Sequence, residues 1–478
     1  MSISDDVVKY ASGGVYPMHM PGHKRNAGFL AGLPIGIDIT EISGFDNLHQ
    51  PDGILRETSE LATRLYGSDK ARLLVNGSTA GVLAAVGGFA QQGDKVLMAR
   101  NCHMSVYNAV ALFGLHPIYL MPDTDSVSGI ACSIQPAAVE EALRKESDIR
   151  LVIITSPTYE GVVSDIAAIA AIAHSHSVPL FVDSAHGAHF GFSAGFPASS
   201  ASAKDATGAD AVVMSLHKTL PALTQCSLLH INGNLTPADE ISRLLSVFQT
   251  SSPSYVLMAS IDACLRKLAS DSGALFGEYE QNLSTFYNET ANMANLSLQW
   301  NPPNEPVAGF FAFDHGKLVI RTEKTALTGT ALVNTLREKY NIELEMACAN
   351  YALAMTSICD TPEGFRKLAD ALIAIDRAQT AAACPPAILP HIPSIPRRSA
   401  LPSDALTLRG RFVPLEESAE LMSLEYVWAY PPGIPVIAPG EVISNDTVSY
   451  ISGMYNSGVS INSTKCRLPE HVYVADDN

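Results

Sequence analysis

Short, almost unbroken apolar runs recur through the first half of the chain: KVLMA, IYLM, RLVIIT, PLFVDS, AVVMSL and SLLHI. Runs of this kind, without polar alternation, predict strands buried on both faces, as in a parallel sheet covered by helices. Between them, segments 135–145 and 165–176 carry apolar positions at helical spacing. This alternation extends from residue 57 to about 231 and gives way to a helical region over 237–294. Beyond it the pattern is that of a smaller α+β unit, with strands at LVIRT, ELEMA and ALAMTS and helices over 329–340 and 362–375. The expected organisation is an irregular arm at 1–56, a large α/β domain with a mainly parallel sheet at 57–295, and a small α+β domain at 296–384. A proline-rich linker at 385–403, with Pro385, Pro386, Pro390, Pro393, Pro396 and Pro402, precedes a C-terminal unit at 404–478.

The 478 residues are 47% hydrophobic and 17% charged, which suits a globular protein with a large core. No run reaches the roughly eighteen apolar residues of a membrane helix. The opening MSISDDVVKYASGG lacks the basic start and apolar stretch of a signal peptide, so a cytoplasmic location is expected. A net charge of −17 argues against nucleic acid as a partner. The eight cysteines are scattered without a CxxC pair, so neither a zinc cluster nor a disulfide framework is expected.

Four segments at expected strand ends carry candidate chemistry, where ligands of open α/β sheets bind. In NGSTAGVLAAV, Ser78, Thr79 and Ala80 open a helix and offer hydroxyls and free N–H groups to a phosphate, although an ordinary helix cap reads from the same residues. In PLFVDSAHGAHFG, Asp183 ends a buried strand and needs a positive partner; Ala185 could face a flat ring and His186 could bond a ring substituent. The competing reading is a metal held by Asp183, His186 and His189, for which HxxH after one Asp is a weak signal. In VVMSLHKTLPALTQ, Ser215 and His217 precede Lys218, whose apolar setting makes an amine nucleophilic. In ARNCHMSVYNAV, His103 lies between a strand and a helix, placed to stack on a planar group or to cap the helix.

Together these segments resemble the fold type I (aspartate-aminotransferase-like) pyridoxal-phosphate enzymes, and the whole chain resembles the Orn/Lys/Arg decarboxylase family. The resemblance is carried in family order by HMPGHKR (19–25), DITEISGFDNLHQPDG (38–53), NGSTAG (76–81), RNCHMS (100–105), SPTYEGV (156–162), DSAHGAHF (183–190), SLHKTLPALTQ (215–225), TSSPSYVLMAS (250–260) and YPPGIPVIAPGE (430–441). It implies pyridoxal 5'-phosphate bound covalently by Lys218, with Asp183 on the pyridinium nitrogen, His103 stacked on the ring and Ala185 on its other face. His186 would lie near the phenolic oxygen. Ser78, Thr79, Ser215 and His217 would hold the phosphate, with a backbone donor from Ala80. It further implies a short form without the N-terminal receiver-like domain, a large domain that binds the cofactor, and a C-terminal domain of the decarboxylase family. Ser184 stands where relatives commonly carry Glu, and Leu216 and Cys226 where Thr is usual.

The implied reaction is α-decarboxylation of a basic amino acid by a homodimer or higher homo-oligomer, arginine first and lysine next, supplying polyamine synthesis. A distal cation needs a carboxylate; Glu441 in the APGE segment is the candidate, with Asp46, Asp52 and Glu41 of the arm as others. An aminotransferase or lyase on the same scaffold, and a cofactor-binding regulator without turnover, are the rival readings.

Overall fold

The computed structural model describes residues 2–203, 208–299, 308–379, 393–430, 433–456 and 459–476. The chain divides into two compact units, one of Met1–Phe89 and Ile166–Glu278, the other of Ala90–Asp165 and Tyr279–Asn478.

In the first unit four strands lie in the order Lys70–Leu74, Ser227–Ile231, Ala211–Ser215, Leu180–Asp183. Every residue of the last three is buried, which is why their sequences show no alternation. Leu180–Asp183 and Ala211–Ser215 are parallel, whereas Ser227–Ile231 runs antiparallel to both of its neighbours. Helix Gly77–Phe89 lies close on this layer: a Cβ at Gly81 would stand 2.7 Å from Leu74 Cδ1 and 2.8 Å from Val213 Cγ2.

The arm is more regular than its composition suggests. Ile3–Ser12 is a helix capped by the Ser2 side chain, with Ile3 and Val7 buried one turn apart. The Ile3 N–H donates to the buried Asp262 carboxylate at 2.8 Å, and Asp262 also accepts from Thr58 Oγ1 and Arg266. Further on, Asp46 accepts from the N–H groups of Asn47, Asp52, Gly53 and Leu55, organising the turn that starts helix Ile54–Tyr66. Burial opposes the charge of Asp46, but these backbone donors outweigh it and hold its carboxyl below the ordinary range.

In the second unit, Ile149–Thr155, Lys95–Ala99 and His116–Leu120 form a parallel set in that order. Strands Met346–Ala347, Tyr351–Met355, Lys317–Arg321 and Ser297–Leu298 form an antiparallel sheet, and helices Gly329–Tyr340 and Pro362–Ala378 accompany it as the sequence predicts. The C-terminal segment builds its own core from Val413, Val427, Ile437, Ile451, Val472 and Val474. Of the proline-rich 385–403 stretch, residues 385–392 lie outside the described residues. Among the described residues no helix is long and apolar enough to cross a membrane.

Two buried polar features of these units are open to direct test. His230 is fully buried against Ser68 Oγ, and burial pushes its pKa down to about 3. The unfolded chain takes up this proton near pH 6.5, so stability present above that pH is lost as pH falls toward 3, by about 2 kcal/mol at pH 5. A His230→Leu protein should show a smaller loss between pH 7 and pH 5 in urea titrations. In the second unit Arg100 binds Glu441 through both carboxylate oxygens at 2.7 and 3.0 Å, over the ring of Tyr119. Arg100→Met alone should cost about 3–5 kcal/mol by leaving a buried charge, whereas Arg100→Met with Glu441→Leu should recover most of that stability.

Candidate active site

Two turns at neighbouring strand ends are hydrogen-bonded to each other. Asp183 ends one strand, buried, and accepts from the Ala185 N–H at 3.1 Å. The Ser184 N–H donates to the Val213 carbonyl at 2.9 Å, and the Ser215 N–H to the Ala185 carbonyl at 3.3 Å. The parallel pairing therefore continues past the strands and fixes the Asp183–His186 turn against the Ser215–Thr219 turn. Across that seam Lys218 Nζ lies 3.0 Å from His186 Nε2. Ser215 Oγ donates to Ser78 Oγ at 3.1 Å, which brings the start of helix Gly77–Phe89 to the same place. Thr79 is exposed on the first turn of that helix and Ala80 is buried beneath it.

His217 is held by Cys226, whose carbonyl accepts from its backbone N–H at 3.3 Å and lies 2.9 Å from Nδ1. A carbonyl can only accept, so Nδ1 carries the proton and Nε2 is left with the lone pair in the neutral ring. Burial lowers the His217 pKa and the Lys218 charge adds to this, against the opposing pull of the Cys226 carbonyl. Burial likewise pushes the Cys226 thiol up to about 12, which makes it an inert packing group.

Ser78, Asp183, Ala185, His186, Ser215, His217 and Lys218 thus share one unit and one locality. His103 belongs to the other unit, where the helix-cap reading is realised: its ring accepts from the Ser105 N–H at 3.2 Å at the start of Met104–Leu112. Glu441 requires a correction. Both of its oxygens are taken by Arg100, and one also accepts from the Ala438 N–H at 2.8 Å, so no edge remains for a substrate cation. Arg100 was missed because its partner is 341 residues away. Gln225 was missed too: in left-handed backbone (φ 81°), it offers its carbonyl to the Gly77 N–H at 3.0 Å and so anchors the Ser78 turn.

This donor set fits pyridoxal phosphate: an amine for the aldehyde carbon, a buried carboxylate for a ring N–H, and hydroxyls at a helix start for the phosphate. Among the described residues no group of three or more His, Cys, Asp or Glu is arranged to hold a metal ion.

Comparison with known proteins agrees. Residues 3–297 match the Orn/Lys/Arg decarboxylase major domain and residues 399–458 the C-terminal domain of the same family. An arginine decarboxylase of Halalkalibacterium halodurans is 31% identical over 463 residues, covering 95% of this chain and 93% of that protein. One of Bacillus subtilis is 32% identical over 466 residues, with the same coverage of each. The solved lysine decarboxylase of Francisella novicida superposes with a TM-score of 0.85 at 18% identity, over 99% of this chain and 81% of that one. A serine palmitoyltransferase solved with pyridoxal phosphate gives 0.53 at 16% identity, over 67% and 76%. The scaffold is a mixed α/β fold with a large, mainly parallel sheet, that of the fold type I pyridoxal-phosphate enzymes, and the chain belongs to the Orn/Lys/Arg decarboxylase family.

Proposed function

We propose that this enzyme removes the α-carboxylate of a basic amino acid, with arginine, giving agmatine, as its first substrate and lysine, giving cadaverine, as its second. The observation that carries the reading is the meeting of Lys218, His186, Asp183, Ser78 and Ser215 at two bonded strand ends. Arginine comes first because the arginine decarboxylases above align over 93% of their own length.

Lys218 binds the cofactor. Its amine must be neutral to attack, and His186 Nε2 at 3.0 Å is placed to share the proton that Lys218 gives up. Asp183, buried, favours a cationic N–H partner on the ring. Ser78, Thr79, Ser215 and the Ala80 N–H would hold the phosphate, His217 would donate to it from Nε2 only as the imidazolium, and Ala185 would lie against the ring. When bound, pyridoxal phosphate supplies the electron sink for the pair left behind as carbon dioxide departs. The Lys218–His186 pair then returns a proton to Cα, which makes the product a primary amine. Carbon dioxide release should be fastest with arginine, slower with lysine, and should fall by at least about a thousandfold in Lys218→Ala. Release that persists in Lys218→Ala would remove this assignment.

We further infer a cytoplasmic homodimer that supplies polyamine synthesis. The arm leaves Tyr16, Met18 and Phe29 at 71%, 85% and 82% exposure, an apolar set that a second copy would cover. Met18→Asp with Phe29→Asp should move the protein toward monomer in sedimentation at micromolar concentration. An unchanged mass would show that the arm is not the interface.

A further inference from the structure

A substrate with a distal guanidinium needs a carboxylate that keeps an open edge. Glu441 has none, and Asp46 spends its oxygens on four backbone donors. Asp52 is exposed, where a charge pair contributes little. Glu41 is different. Its Oε1 is sealed from solvent, yet has no hydrogen-bond partner among the described residues. A carboxylate oxygen removed from water and left unpaired is costly, and a cationic ligand would remove that cost.

The position is suitable. Glu41 precedes by five residues Asp46, whose carbonyl accepts from the buried phenol of Tyr255 in the first turn of helix Tyr255–Thr290. The same helix holds the turn after Lys218: Leu257 O accepts from the Cys226 thiol at 3.3 Å and Ser260 Oγ from the Leu223 N–H at 2.8 Å. On the other side His49 Nε2 lies 3.0 Å from the Thr250 carbonyl, and the Thr250 N–H donates to Asn76 beside the Ser78 turn. The 41–53 segment is therefore joined, through Tyr255 and Thr250, to the stretch that follows Lys218 and to Asn76 just before the Ser78 turn.

We propose that Glu41 receives the distal cation of the substrate and selects the guanidinium of arginine. This rests on the decarboxylase reading. The test uses the holoenzyme with arginine and with citrulline, its uncharged isostere. In Glu41→Gln, KM for arginine should rise on the order of 50-fold with kcat within about threefold, while citrulline turnover is unchanged. The cofactor absorbance and the mass should stay as in the wild type. Equal effects on arginine and citrulline, or no effect on either, overturn the assignment. Should Glu41→Gln fail to assemble, Glu41→Asp serves: an arginine-to-citrulline preference equal to wild type overturns it, and a reduced one supports it. A wild-type enzyme that releases no carbon dioxide from any basic amino acid overturns both this inference and the reading beneath it.

Discussion

The hydrogen bonds that join the Asp183–His186 turn to the Ser215–Thr219 turn are the constraint on which the site depends. Strand pairing alone would fix Asp183 and leave Lys218 on a free loop. Because the Ser215 N–H is held by the Ala185 carbonyl and the Ser184 N–H by the Val213 carbonyl, both turns inherit the rigidity of the buried layer. Lys218 and His186 then meet at hydrogen-bond distance although 32 residues separate them. Catalytic groups placed at the ends of packed strands hold their geometry better than groups on mobile loops.

Legibility followed from how local each cause was. Lys218, Asp183 and Ser78 could be read because the chemistry of each is announced by its immediate neighbours. The strands could be read because burial on both faces writes itself as an unbroken apolar run. That same run says nothing about direction, so Ser227–Ile231 gave no hint that it is antiparallel. The first helix was hidden because its anchor, Asp262, lies 259 residues from Ile3. Glu441 was misread for a similar reason: APGE displays an acid but not the arginine that consumes it.

Buried carboxylates divide here by what satisfies them. Asp46 and Asp262 use backbone and side-chain donors to position the arm, and Glu441 uses a guanidinium to join a strand end to the C-terminal segment. Asp262 and Glu441 are long-range fastenings made from one charge each, whereas Asp46 closes a local turn. Against this background the Oε1 of Glu41, buried and without a partner among the described residues, stands out as an unfinished contact.

The two acids that fasten the arm also change its polymer physics. With Ile3 held by Asp262 and the Asn47–Leu55 turn held by Asp46, the residues between are a closed loop instead of a free tail. The configurational entropy of bringing its ends together is spent during folding, not during association. Tyr16, Met18 and Phe29 are thus exposed on a loop whose ends the fold has already fixed, so its remaining chain entropy is smaller than that of a free tail.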